Sequence, residues 1–231
     1  MTIKNLSYDI SERYFNVDNT FLKTFIHLFR RPEVVIEGYI EGIRRKYLNP
    51  VSYLGIALTL SGFLVFLIGK YAAQIDFDVF NSGVDSKAMT PLFNFTMDFQ
   101  ALLFILYIPM MAVASWLAFE NQKYNFTERL VVFMYALAHY SLFVFVPSVL
   151  LLLMAPEWYG KFSMLFLFMM YVYCAYVIKR ISKLRGIDYW ARVLLFFAIF
   201  TVFYFSLSLL LVIFLIITGE ISIEDFAPNN S

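Results

Sequence analysis

Five stretches of this chain are apolar over the length of a bilayer crossing, and that narrows its fold before any motif is considered. They run over about residues 50–69, 99–119, 130–154, 162–178 and 191–218. A hydrocarbon core ~30 Å thick is crossed by about 20 helical residues. The fifth stretch is long enough to tilt or to extend past the core. Helix is the only open-ended form that satisfies every backbone group within lipid. Composition agrees: 61% of the residues are hydrophobic and 15% charged, against roughly 25% charged in soluble domains. The sequence therefore predicts an all-α polytopic membrane protein of about five transmembrane helices. The single cysteine, Cys174, excludes an internal disulfide and a cysteine-based zinc site. The first fifty residues are polar, so no cleavable signal peptide is expected.

Cations set the expected orientation, because Lys and Arg collect on the cytoplasmic side. With the N-terminus inside, 15 of the 18 Lys and Arg residues fall in the cytoplasm and only Lys70, Lys87 and Lys161 outside. Acids divide almost evenly, nine in and eight out. The expected layout is a cytoplasmic segment over residues 1–48, a transmembrane domain over 49–218 and a short outer tail over 219–231. The outer loop over 70–98 carries Asp76, Asp78, Asp85 and Asp98 around a turn-like FNSGVDS. Trp158 and Tyr159 in APEWYGK suit an interfacial aromatic belt.

Two amphipathic helices are expected before the first span. In NTFLKTFIHLFRR, Phe21, Leu22, Phe25, Ile26, Leu28 and Phe29 share an arc about 160° wide at ~100° per residue, opposite Lys23, His27, Arg30 and Arg31. That pattern suits a helix lying in the headgroup plane against anionic lipid, with His27 solvated. Asp18 or Asn19 is placed to cap it, and Pro32 to end it. The next helix, PEVVIEGYIEGIRRKYLN, sets Val35, Ile36, Tyr39, Ile40, Ile43 and Tyr47 on one face. Glu33, Glu37, Glu41 and Arg45 form a line on the other, with Glu41 and Arg45 spaced to pair. Gly38 and Gly42 stand four apart. Each costs ~1 kcal/mol of helix propensity, so a purpose is expected: close approach of another backbone or a bend.

FLKTFIHLFRRPEVVIEGYIEGIRRKYLNPVSYL resembles the signature of an uncharacterised family of bacterial polytopic membrane proteins, the domain-of-unknown-function 3667 type. The residues carrying the resemblance are Pro32, Tyr39, Ile40, Gly42, Arg44, Arg45, Tyr47 and Pro50. Members often begin with a cysteine-pair zinc ribbon, which this chain lacks. The five-span layout is also similar to Yip-type membrane-trafficking proteins, on architecture alone. The resemblance implies a bacterial inner-membrane location but no reaction.

Chemistry is sparse. Ionisable groups within spans are the usual markers of function, and His139 in MYALAHYSLF is the main one, with Tyr135 and Tyr140 beside it. It reads either as a relay or ligand, or as a neutral imidazole bonded to a neighbouring helix. Glu120, Glu128 and Asp188 at span ends read as salt bridges or caps, and Pro109 and Pro147 as kinks. Tyr171, Tyr173 and Tyr176 with Cys174 read as a polar-tipped aromatic patch that bonds a neighbouring helix or lines a cavity, the former being favoured. No phosphate loop, nucleophile elbow or metal motif is present, so no catalytic, cofactor or metal residue is expected. The expected functional surface is Pro32, Gly38, Tyr39, Glu41, Gly42, Arg44, Arg45, Tyr47 and Pro50, with His139, Tyr135 and Tyr140 as an intramembrane polar site. The expected role is a non-enzymatic scaffold, adaptor or complex subunit; a small transporter or channel and a lipid-modifying enzyme are the alternatives. Expected partners are anionic lipids and a membrane protein or second copy, not nucleic acid.

Overall fold

The computed structural model describes residues 20–75, 86–119, 124–182 and 184–222. The cap at Asp18 or Asn19, the acids Asp76, Asp78, Asp85 and Glu120, and the cations Lys4, Arg13, Lys123 and Lys183 lie outside those residues. Among the described residues the regular structure is helical: α1 (20–30), α2 (Pro32–Ile40), α3 (Pro50–Tyr71), α4 (Ser86–Asp98), α5 (Gln100–Ala118), α6 (Phe126–Met154), α7 (Tyr159–Ile181) and α8 (Gly186–Ile217). Helices α3, α5, α6, α7 and α8 are each long and apolar enough to cross a membrane, making this a multi-pass membrane protein. The segment before α5 is not merely loop, since α4 occupies Ser86–Asp98.

Local chemistry explains where the spans begin. Pro50 opens α3 at a position needing no amide donor, and the Asn49 side chain accepts from the Ser52 amide at 2.8 Å. Asn125 and Glu128 form a capping box at the start of α6, with bonds of 2.9 and 2.7 Å. Glu128 is therefore a cap. Small residues let α3 and α6 approach: Ala57, Ala136 and Ala138 are fully buried, and Ser61 Oγ meets Ser141 Oγ at 2.8 Å. Such contacts hold helices together where lipid removes the hydrophobic drive.

Helices α3, α6 and α8 start, and α5 and α7 end, at the pole of the bundle that carries α1 and α2. Arg129 and Arg192 close the end of α5 there. The Arg129 guanidinium, 4% exposed, donates to Ser115 O at 2.9 Å, Ser115 Oγ at 2.7 Å, Phe119 O at 2.8 Å and Tyr124 O at 3.1 Å. Arg192 adds a bond to Ala118 O at 3.0 Å. The last carbonyls of a helix lack internal partners and carry the negative end of its dipole, so a cation satisfies both bonding and charge. Arg129, read from sequence as a loop cation, is a buried cap.

Replacing Arg129 by Met is expected to lower stability by about 3 kcal/mol or more, because several buried acceptors lose their donor together. Arg129→Lys recovers only part of the loss, since a single ammonium cannot span the fork. Thermal unfolding in mild detergent checks both.

Candidate functional site

Helix α1 does not lie on the bundle's surface. Its buried stripe is Phe21, Thr24, Phe25, Leu28 and Phe29, spaced i, i+3, i+4, i+7, i+8, with Thr24 and Leu28 wholly inaccessible. Leu22 and Ile26, assigned to the same apolar arc from sequence, face outward at 56% and 38% exposure. The arc is divided because Thr24 is drawn inward. Its hydroxyl donates to Thr20 O at 2.7 Å and accepts the Leu48 amide at 2.9 Å. His27 is not free in solvent either, since its Nδ1 lies 2.7 Å from the Tyr47 hydroxyl.

The stripe meets His139, which has no accessible surface. Its Nδ1 bonds the Tyr53 hydroxyl at 2.8 Å. Around the imidazole stand Phe29, Phe25, Tyr173 and Tyr53, with centroid separations of 4.2, 4.8, 5.2 and 6.2 Å. A hydroxyl donating to Nδ1 puts the ring proton on Nε2, and Nε2 has no oxygen or nitrogen partner. The neighbours expected from sequence are aimed elsewhere. Tyr135 donates to Leu48 O at 2.7 Å, and Tyr140 to Phe166 O on α7. Tyr53, at the first turn of α3, is the partner the sequence did not single out; no spacing links it to a histidine 86 residues away.

Two further tyrosines fasten α1 by its open end. Tyr176 donates to Phe29 O at 2.8 Å and Tyr173 to Leu28 O at 3.2 Å, serving carbonyls that the helix itself leaves free. Arg180 then grips Glu33 through two nitrogens, one bond being Nε to Oε2 at 2.9 Å. Burial pushes the Glu33 carboxyl upward, but the Arg180 hydrogen bond and charge outweigh it and hold the group below its ordinary value near 4.5. The helix-bonding role expected for Tyr173 and Tyr176 is therefore directed at α1.

Helix α2 stops at Ile40 and does not continue to Asn49. Gly42 adopts φ +93°, a conformation glycine enters without penalty. The Ile43 amide bonds Gly38 O at 2.7 Å and the Gly42 amide bonds Tyr39 O at 3.1 Å, the paired closure of a Schellman motif. The helical register that would have paired Glu41 with Arg45 is thereby broken. Among the described residues, nothing beyond the chain neighbours and their own helix backbone lies within 4 Å of where a Cβ would stand on Gly38 or Gly42; Gly42 serves the bend, and Gly38 supplies the carbonyl that closes it.

The nine residues of the expected surface accordingly separate. Pro32, Gly38, Tyr47 and Pro50 are buried and shape the connection, while Tyr39 is half-buried with its ring 6.1 Å from that of Tyr135. Glu41, Gly42, Arg44 and Arg45 are exposed. Beside them Glu37, Ile40, Glu41, Tyr124 and Glu128 line a groove of about 250 Å³. Tyr124 donates to Glu37 at 2.7 Å, and burial together with that carboxylate raises its hydroxyl pKa. A second cavity, next to Arg129 and Ser182, measures about 20 Å³, room for one water. Among the described residues no group of three His, Cys, Asp or Glu side chains is placed to hold a metal.

Residues 18–62 match the model of a family described as a protein of unknown function, DUF3667, which supports the membership that the motif indicates. The matched segment contains α1, α2, the turn and the first half of α3. No curated protein and no solved structure matches the chain.

Two outcomes are expected. Tyr53→Phe strands His139 Nδ1 and His139→Phe strands the buried Tyr53 hydroxyl, each at about 1–3 kcal/mol, whereas Tyr53→Phe/His139→Phe removes both partners and costs less than the two single changes summed; Phe29→Ala, which empties part of the ring cluster, costs about 3–5 kcal/mol. Thermal unfolding of the variants in detergent gives the order. Separately, a carboxyl with a lowered folded-state pKa stabilises above its unfolded pKa and loses that contribution as pH falls through the folded value. Acidification below about pH 4.5 is thus expected to loosen α2 from α7, measured as a longer distance between spin labels placed at Val34 and Lys179. Glu33→Gln is expected to show the longer distance already at neutral pH.

Proposed function

We propose that this member of an uncharacterised family is a non-enzymatic integral inner-membrane protein: a scaffold, adaptor or subunit of a membrane complex that works through its outer surface. The observation carrying the reading is that, among the described residues, aromatic side chains of the chain itself pack around the intramembrane His139. The space beside His139, where a bundle would meet an ion or substrate, is taken by Phe25 and Phe29 of α1. A path for transport needs polar groups facing room to move, and the cavity beside Arg129 has room for one water only.

What the matched segment leaves outside is the turn over residues 41–46, exposed at every position. With the α1–α2 pole in the cytoplasm, the side favoured by the distribution of Lys and Arg, this turn is the cytoplasmic contact surface. Its shape depends on Gly42 and its charge on Arg44, Arg45 and Lys46.

The test is quantitative copurification from native membranes in mild detergent. The wild-type chain is expected to carry a partner protein, or a second copy of itself, in fixed ratio. Gly42→Leu, which strains the turn, and Arg44→Glu/Arg45→Glu are expected to reduce that ratio about tenfold or more, two charge reversals at roughly 1.4 kcal/mol or more in all. A partner-free wild type that conducts ions or solutes in proteoliposomes, with conduction lost in His139→Phe, overturns the reading.

A further inference from the structure

We infer that the turn over residues 41–46 binds the phosphate of an anionic phospholipid headgroup in the adjoining leaflet. The inference goes beyond the reading above, assigning the turn a lipid ligand that is tested separately from any protein partner.

Three consecutive cations, Arg44, Arg45 and Lys46, are exposed. Among the described residues none of them is paired with a carboxylate, whereas Arg180 at the same pole holds Glu33. Two are set on aromatic faces: Arg44 lies 5.8 Å from the Tyr39 ring centre and Lys46 5.5 Å from that of Tyr47. Lys23 of α1 approaches the same Tyr47 ring at 5.9 Å. Tyr47 is a fixed platform, being 5% exposed with its hydroxyl held by His27. Among the described residues these cations make no ion pair, although Glu41 stands in the same turn and Glu37 and Glu128 line the groove beside it; set against Tyr39 and Tyr47, they stay open to an anion supplied from outside.

Depth and apolar surface select lipid as the source of that anion. Pro50 opens the first membrane-crossing helix four residues after Lys46, so the cations stand where a bilayer's phosphates begin. Ile43 within the turn is 53% exposed and Val51 on the first turn of α3 is 63% exposed. Apolar groups beside cations at the edge of a span match the acyl boundary beneath a headgroup layer. A soluble acidic protein or nucleic acid would use the charges but leave Ile43 and Val51 bare. Sequence reading assigned the lipid contact to the apolar face of α1; that face is turned inward, and the turn takes its place.

The experiment is native mass spectrometry of the full chain in mild detergent, titrated separately with phosphatidylglycerol, phosphatidylcholine and inorganic phosphate. Wild type is expected to retain phosphatidylglycerol well above phosphatidylcholine and to show no retained free phosphate. Arg44→Gln/Arg45→Gln/Lys46→Gln is expected to weaken phosphatidylglycerol binding about 100-fold, from roughly fivefold per surface cation. Arg45→Gln alone, at a side chain that touches neither ring, is expected to give about fivefold. Lys179→Gln, an exposed cation on α7 at the same pole, is expected to stay within about twofold. Equal retention of the two lipids, or an unaltered preference in the triple variant, overturns the inference. If the triple variant loses its protein partner while keeping its lipid, the inference fails and the scaffold reading stands. If it loses the lipid and keeps the partner, the inference stands and the turn is removed from the protein-docking surface.

Discussion

Backbone carbonyls at helix ends lack partners within their own helix, and much of this structure follows from finding them donors where packing shields them from water. Arg129 and Arg192 serve the end of α5. Tyr173 and Tyr176 serve the end of α1. Tyr135 reaches Leu48 just before α3, and Tyr189 on α8 reaches Ala175 on α7 at 2.7 Å. Each bond joins a side chain of one element to the backbone of another, so satisfying the carbonyl also fixes the packing. A tyrosine suits this task because its ring is at home among apolar groups while its hydroxyl needs a partner.

The same economy accounts for α1. Apolar groups gain little by leaving lipid for a protein interior, since both are apolar. What holds α1 inward is polar: Thr24 to Leu48, two tyrosine hydroxyls on its last carbonyls, and Arg180 on Glu33 just beyond it. The aromatic rings then pack around His139 as a consequence of where those bonds set the helix. The buried imidazole keeps one bond and surrenders the other, a modest cost set against the closure of the interior.

Much of the architecture was legible from the residues. Five apolar lengths and the start of the first at Pro50 act over a few positions, and local rules read them; Glu128 was read only as a salt bridge or cap, and the two glycines as a contact or a bend. The candidate site was legible only in part. His139 stood out because a histidine in an apolar run is rare, but its partners Tyr53, Tyr173, Phe25 and Phe29 come from three other helices. Tyr140, one position on, is turned about 100° to another face, whereas Tyr135, one turn back on the same face, spends its hydroxyl on Leu48 O.

The sequence by itself determined that this chain is a helical membrane protein and that its densest cations gather before the first of its spans, since length, hydropathy and charge are properties of single segments. Only the tertiary structure decided which way α1 turned its apolar face, that Arg129 was a cap and not a loop charge, and that the run after Gly42 left the helix to stand exposed. An amphipathic pattern states that a face must avoid water; it does not say whether lipid or protein will cover it. That choice was made by hydroxyls and guanidinium groups whose acceptors lie as far as 147 residues away along the chain.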